Sequence, residues 1–146
     1  SMGLPTREEE VQILDTYMTE DPLKKLAAVM DQETLERMQK EAMEVYVHPT
    51  VRGYLADLSA ATRSSDQTVM GVSPRGTIAL MRASRAWAYL EGRSFVTPDD
   101  IQAVAGPVMA HRVVLSYGQN RYADALRLIE EILNTVPAPT EDFSIA

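Results

Sequence analysis

Residues 71–92 read GVSPRGTIALMRASRAWAYLEG, a stretch that carries its own helix start and stop signals. Ser73 is a favoured N-cap residue, Pro74 suits the first helical position, and Gly92 is typical of a helix C-terminus. At 100° per residue, one arc of this helix is apolar and is predicted to face a core. That arc holds Leu80, Ala83, Trp87 and Leu90.

The same helix carries three arginines on a separate arc, within about 80° of one another at helical spacing: Arg75, Arg82 and Arg85. A helix N-terminus offers unpaired amide groups and the positive end of the helix dipole, and Arg75 adds a guanidinium at the second helical position. The residue types therefore predict an anion or phosphate site at Ser73, Pro74 and Arg75. The alternative is that the arginines form structural ion pairs with acidic side chains of neighbouring helices.

Further capping signals and apolar periodicity predict helices along the rest of the chain. The capping signals include capping boxes from Thr6 to Glu9 and from Thr97 to Asp100. They are expected over 6–18, over 32–44, from Pro49 onward, from Ser73 to Gly92, and over 121–134, with two short helices after Thr97 separated by Gly106-Pro107. Residues 62–72 are predicted to be a loop, and no stretch alternates as a strand does. The fold class is therefore all-α, a small bundle of about five to seven helices.

Apolar positions in three other helices follow the same period. In the first helix they form one stripe: Val11, Leu14, Tyr17 and Met18. In the helix from Pro49 they are expected to face inward: Val51, Tyr54, Leu55 and Leu58. In the last helix they lie on one side: Tyr122, Leu126, Ile129 and Leu133.

Composition limits the classes of function. The chain has 146 residues and no cysteine, which predicts one domain without disulfides or thiolate zinc sites and favours a reducing, cytoplasmic compartment. No apolar run reaches the roughly 20 residues of a membrane helix, so no membrane partner is expected. The formal net charge of -7 argues against nucleic acid, although residues 71–121 hold six arginines and no lysine.

Catalytic signatures are missing from the sequence. It contains no GxSxG, HExxH or GxGxxG motif and, above all, no GxxxxGK[ST] phosphate-binding loop. His48 and His111 have no second histidine or carboxylate at ligand spacing, so no metal site is predicted. We therefore expect no catalytic residue in the isolated chain.

The motifs together resemble those of one family. They are Gly71-Val72-Ser73-Pro74-Arg75-Gly76, then Glu91-Gly92-Arg93-x-Phe95-Val96-Thr97-Pro98-Asp99-Asp100, and then Pro107-Val108-x-x-His111-Arg112. This pattern resembles the C-terminal lid of MoxR-type AAA+ ATPases. Gly3-Leu4-Pro5 is similar to the family's Gly-aromatic-Pro segment, with Leu4 in place of the aromatic residue. Thr62-Arg63 at a helix end also fits.

The resemblance implies a domain division and a site. Residues 3–137 would be the lid. Independently of the resemblance, Pro137 and Pro139 predict the end of the last helix and a loose tail over 138–146, and Ser1-Met2 is interpreted as a remnant of cloning. Arg75 would be the sensor 2 arginine that meets the γ-phosphate of ATP, with Ser73 as the cap, Pro74 fixing the helix start and Gly71 freeing the approach. The motif assigns no chemistry to His111 or Arg112.

The resemblance also implies partners outside the chain. An upstream AAA+ core domain would bind ATP and Mg²⁺, and the parent protein, an ATPase, would form a ring, expected to be a hexamer. Such motors act as chaperones in maturing or assembling a partner protein, often with a von Willebrand factor A domain protein. The alternative function is a free-standing helical adaptor that binds an acidic partner through Arg82 and Arg85.

Overall fold

The computed structural model describes residues 3–19, 21–116 and 121–144. Helices dominate them: α1 (Arg7–Thr19), α2 (Gln32–Glu44), α3 (Pro49–Ser64), α4 (Pro74–Leu90), α5 (Pro98–Met109) and α6 (Tyr122–Thr135). Short 3-10 helices lie at Pro22–Lys25 and Ala110–Arg112, and two strands, β1 (Thr68–Met70) and β2 (Val114–Leu115), form a small sheet. The predicted all-α class is confirmed. The chain divides into two compact units after Leu35.

The first unit starts with the predicted capping box. The Thr6 amide donates to Glu9 Oε2 at 2.7 Å, and the Glu9 amide donates to Thr6 Oγ1 at 3.3 Å. These bonds from Thr6 lower the pKa of Glu9. The four residues of the predicted apolar stripe of α1 are all exposed: Val11, Leu14, Tyr17 and Met18. The helical period gives these residues one face, but no described element of this unit covers that face.

In the second unit, α3 begins and packs as predicted. His48 is its N-cap, accepting a hydrogen bond from the Thr50 amide through Nδ1, and Pro49 takes the first helical position. The four residues expected to face inward are all buried: Val51, Tyr54, Leu55 and Leu58. The core that they enter also contains side chains from α4, α5 and α6.

The core face of α4 differs from the predicted one. Its buried positions follow the i, i+4 row: Gly76, Leu80, Ser84 and Ala88. Trp87 is 42% exposed and Leu90 is 70% exposed, so their assignment to the core was wrong. The buried row consists mostly of small residues, over which neighbouring α3 and α5 pack closely. The angular position of a residue around α4 does not show how far α3 and α5 extend along that helix. Trp87 and Leu90 lie in the last turn of α4 and are exposed there.

Helix α5 is continuous through Pro107, so the predicted break at Gly106-Pro107 was wrong. A proline removes one backbone donor, but Pro107 lies in the last turn and only one intrahelical bond is affected. Burial of Val104, Ala105 and Met109 stabilises the helix on both sides of it.

The segment predicted to be a loop, residues 62–72, is partly regular. Helix α3 runs on to Ser64, and β1 pairs with β2 in antiparallel fashion, with Thr68 opposite Leu115. A second short pairing joins Tyr46 to Phe95 as a parallel bridge. These pairings are too short to show an alternating sequence pattern, which is why the sequence does not reveal them.

The last helix begins and ends within one residue of its predicted bounds, but it turns a shifted face inward. Its buried residues are Ala125, Leu128, Ile129 and Ile132, whereas Tyr122 is exposed. Beyond it, residues 138–144 have no helix or strand, yet Phe143 is only 8% exposed and its ring meets the edge of His48. The described part of the tail is therefore not loose at Phe143. Among the described helices, none is long and apolar enough to cross a membrane.

Candidate functional site

The start of α4 has the geometry that the Ser-Pro-Arg sequence predicts. Ser73 is the N-cap in an extended conformation, and its Oγ accepts from the Gly76 amide at 3.4 Å. The Ser73 carbonyl accepts from the Gly76 and Thr77 amides at 2.8 and 3.1 Å. Pro74 is the first helical residue and has no amide hydrogen to satisfy. Arg75 follows on a 17-residue helix whose dipole places positive charge at this end.

Arg75 is exposed and forms no hydrogen bond or ion pair with any residue that the structure describes. Its guanidinium therefore keeps all five donors available. A planar fork of donors at the positive end of a helix is well suited to anionic oxygens such as those of a phosphate.

Gly71 lies against the C-terminal end of α3. A Cβ atom at this position would be 2.6 Å from the backbone of both Thr62 and Arg63, closer than real atoms approach. The structure thus gives Gly71 a packing role, since only glycine permits this contact between two backbones.

Two further arginines lie near the start of α4. Arg63 Nη1 donates to the carbonyl of Val72 at 2.8 Å. Arg112 packs its side-chain stem over Gly76, with Cδ 3.2 Å from where a Cβ would stand, and its Nε donates to the Val108 carbonyl at 2.9 Å. Arg63 and Arg112 both belong to the motifs quoted from the sequence. Their closeness to the start of α4 could not be predicted, because they are far from Arg75 in the chain.

The ion-pair alternative gains no support at α4, since none of its three arginines pairs with a described carboxylate, whereas two arginines outside α4 do form ion pairs. Arg93 forms a bidentate pair with Asp100, and Arg121 Nε lies 3.4 Å from Asp124. Arg82 is exposed, and no hydrogen bond or ion pair joins it to a described residue. Arg85 is half-buried, and its Nε has no partner in the described part of the chain.

The Arg93–Asp100 pair also completes the predicted capping box of α5. Asp100 Oδ2 accepts from the Thr97 amide at 2.8 Å and from the Thr97 hydroxyl at 3.0 Å. Burial raises the pKa of Asp100, but the hydrogen bonds from Arg93 and Thr97 outweigh it, and the net pKa is lowered. The hydrogen bond to Asp100 raises the pKa of Arg93.

Within the described part of the chain, neither histidine takes part in a cluster of metal-ligating groups. His48 caps α3, and His111 Nδ1 lies 3.0 Å from the Pro107 carbonyl. Across residues 3–19, 21–116 and 121–144, no three His, Asp or Glu side chains are placed to hold a metal ion.

The chain is similar to a family of known domains and to several known proteins. The family model described as the AAA lid domain matches residues 60–132. An uncharacterized Bacillus subtilis protein, YeaC, is 32% identical over 99% of the chain and 45% of its own length. Chaperone MoxR1 of Mycobacterium tuberculosis is 30% identical over 95% of the chain and 39% of its own length.

A solved structure shares the fold. A Cytophaga hutchinsonii protein described as a candidate ATPase superposes with a TM-score of 0.76 over 95% of the chain, at 21% identity, and the chain covers 45% of it. The chain thus spans less than half the length of the relatives that it matches. The resemblance seen at Gly71–Gly76 is confirmed: the chain belongs to the AAA lid domain family, and it is a lid of the MoxR type.

Proposed function

We propose that this lid senses the γ-phosphate of ATP through Arg75, which acts as the sensor 2 arginine of a longer AAA+ ATPase. The observation that carries the proposal is the exposed guanidinium of Arg75, which is unpaired among the described residues and stands at the start of α4 in a domain of this family. The proposed lid comprises residues 3–137, followed by a tail at 138–146.

The residues at this helix start fit a triphosphate. Arg75 can donate two parallel hydrogen bonds to phosphate oxygens, and Ser73 and Pro74 fix the helix end whose dipole favours the same negative charge. Arginine donors are most effective where charge develops during phosphoryl transfer, since they then stabilise the transition state. Release of the contact after hydrolysis would free the lid to move as a hinge.

The remaining parts of the ATPase lie outside this chain in the proposal. An AAA+ core domain supplies the phosphate-binding loop, the acids that hold Mg²⁺ and an arginine finger, and ATP joins that core to the lid. The parent protein assembles as a ring, expected to be a hexamer. The relative named chaperone MoxR1 supports a chaperone-like role. In the proposal this role lies in the cytoplasm, with a von Willebrand factor A domain protein as a candidate partner.

The test is ATP hydrolysis by the full-length protein with Arg75→Ala. Loss of hydrogen bonds to a charged group, about 1.5–3 kcal/mol, should lower kcat by about 10- to 100-fold. Arg75→Lys should be intermediate, because an ammonium keeps the charge but loses the bidentate geometry. Arg52→Ala, an exposed arginine on α3, is the matched control. Unchanged turnover with Arg75→Ala would refute the proposal.

A second function has one observation in its favour. Arg82 is exposed and forms no hydrogen bond or ion pair with a described residue. An exposed cation of this kind suits an adaptor that binds an acidic partner protein. Salt-sensitive capture of a partner by this chain, abolished by Arg82→Glu with Arg85→Glu, would support it, and capture that survives both changes would count against it.

A further inference from the structure

We propose that Thr62 and Arg63, at the C-terminal end of α3, are positioning residues that fix the direction in which Arg75 leaves α4. The inference rests on the proposed function of Arg75. Its basis is a set of hydrogen bonds from α3 side chains to Val72, the residue directly before the N-cap of α4. We call the side chains of Ser59, Thr62 and Arg63 the Val72 clamp.

Both backbone polar groups of Val72 are bound by this clamp. The Val72 amide donates to Thr62 Oγ1 at 2.9 Å, and the Val72 carbonyl accepts from Arg63 Nη1 at 2.8 Å. The Val72 side chain is fully buried at 0% exposure. The residue that leads into α4 is therefore held by α3 at both its donor and its acceptor, and its side chain is buried.

The clamp reaches the first turn of α4 by a second route. The Thr62 hydroxyl donates to the Ser59 carbonyl at 2.7 Å, and the Thr77 hydroxyl of α4 donates to Ser59 Oγ at 2.8 Å. Ser59 and Thr62 are both fully buried. Because a buried polar atom without a partner is costly, these bonds favour one arrangement of the two helices.

Close backbone contact between Gly71 and the end of α3 limits movement of the segment that leads into α4. Gly71 lies so near Thr62 and Arg63 that no side chain fits between them. Two residues later the chain is fixed again at Ser73, by its cap bonds to Gly76 and Thr77. The start of α4 must therefore follow any displacement of the end of α3.

This arrangement has a functional consequence for Arg75. A guanidinium contact to phosphate is directional, and misplacement of a catalytic contact by about 1 Å costs up to about 100-fold in rate. Loosening the clamp should therefore weaken the action of Arg75 without removing Arg75. The expected signature is a lower kcat with little change in KM for ATP, because the core domain supplies most of the binding.

The experiment compares variants of the full-length ATPase. Thr62→Val removes the hydroxyl at nearly constant volume, and Arg63→Ala removes the bond to the Val72 carbonyl. Each should lower kcat by about three- to tenfold, and Arg63→Lys should recover part of the loss. Ser64→Ala is the matched control for Thr62, since the Ser64 hydroxyl bonds only within α3 among the described residues. Arg52→Ala is the control for Arg63.

A double variant separates positioning from general structural damage. If Arg63 acts through Arg75, Arg63→Ala should have no further effect on kcat in an Arg75→Ala background. If the two losses multiply, or if the clamp variants match their controls, the inference is overturned. If Thr62→Val does not fold, the Arg63→Ala variant provides the same test, because Arg63 is exposed.

Hydrogen exchange of the 146-residue chain gives a readout independent of hydrolysis. Thr62→Val should speed exchange of the Val72 amide, whereas Ser64→Ala should not, and unchanged exchange would overturn the clamp itself. If Arg75→Ala leaves hydrolysis intact, the proposed function and this inference fail together. If Arg75→Ala lowers kcat and the clamp variants do not, only this inference fails.

Discussion

Asp100→Asn should destabilise the fold strongly although it changes almost no volume. Asp100 is 1% exposed and accepts hydrogen bonds from both Arg93 and Thr97. The amide of asparagine would place a donor against the guanidinium of Arg93, and it would remove the negative charge from the capping box of α5. The substitution therefore breaks a buried pair and weakens a helix cap at once.

The magnitude follows from these contacts. Breaking a buried ion pair costs about 3–5 kcal/mol, and the exposure of Arg93, whose side chain is 31% accessible, reduces that cost. The substitution also loses part of the helix cap of α5. Together, we expect these two effects to lower the free energy of unfolding by about 3 kcal/mol. For a domain of this size that lowers Tm by about 6–12 °C. Thermal unfolding at pH 7 measures it, with the exposed neighbour Asp99→Asn as control.

The pH dependence gives a second check. Because the pKa of Asp100 is lowered in the folded state, its stabilisation is present above the unfolded value of about 3.9 and is lost as the pH falls through the folded pKa. The difference between the wild-type chain and Asp100→Asn should therefore shrink below about pH 4. A loss under about 1 kcal/mol at pH 7, or a difference that stays constant in acid, would refute the reasoning.

Three further substitutions test the packing, each by the urea midpoint of the 146-residue chain. Gly71→Ala should cost about 1–3 kcal/mol, because its Cβ would meet rigid backbone at Thr62; a neutral result would contradict the contact. Gly53→Ala, in the interior of α3 with nothing within 4 Å, should instead stabilise by about 0.5–1 kcal/mol, and destabilisation would show an unseen neighbour. Phe143→Ala should cost about 3 kcal/mol because its ring is buried, and an unchanged midpoint would mean that the tail is loose.

The sequence predicted the helices and their ends well. The cap at Ser73, the capping box from Thr97 to Asp100 and the glycine end at Gly92, which has φ of +73°, all appear in the structure. These signals work because a cap or an apolar period depends on residues within about four positions of one another. The candidate site residues Ser73, Pro74 and Arg75 could be located for the same reason.

Predictions failed where the outcome depended on distant parts of the chain. Pro107 does not break α5, because burial of its neighbours outweighs one missing hydrogen bond. Trp87 and Leu90 share an arc of α4 with Leu80 but are exposed. Burial also requires a neighbouring element beside that turn of the helix. The stripe of α1 likewise keeps its helical period but is exposed.

The sequence by itself determined the helical class, the family, and the placement of Arg75 at a helix start, since each is encoded in short contiguous motifs. The tertiary structure alone decided how that start is held. It brings Thr62 and Arg63 onto the backbone of Val72, packs Gly71 against α3, and lays the stem of Arg112 over Gly76. These contacts join residues whose separation in the chain carries no pattern, because they arise only when the helices pack around a common core.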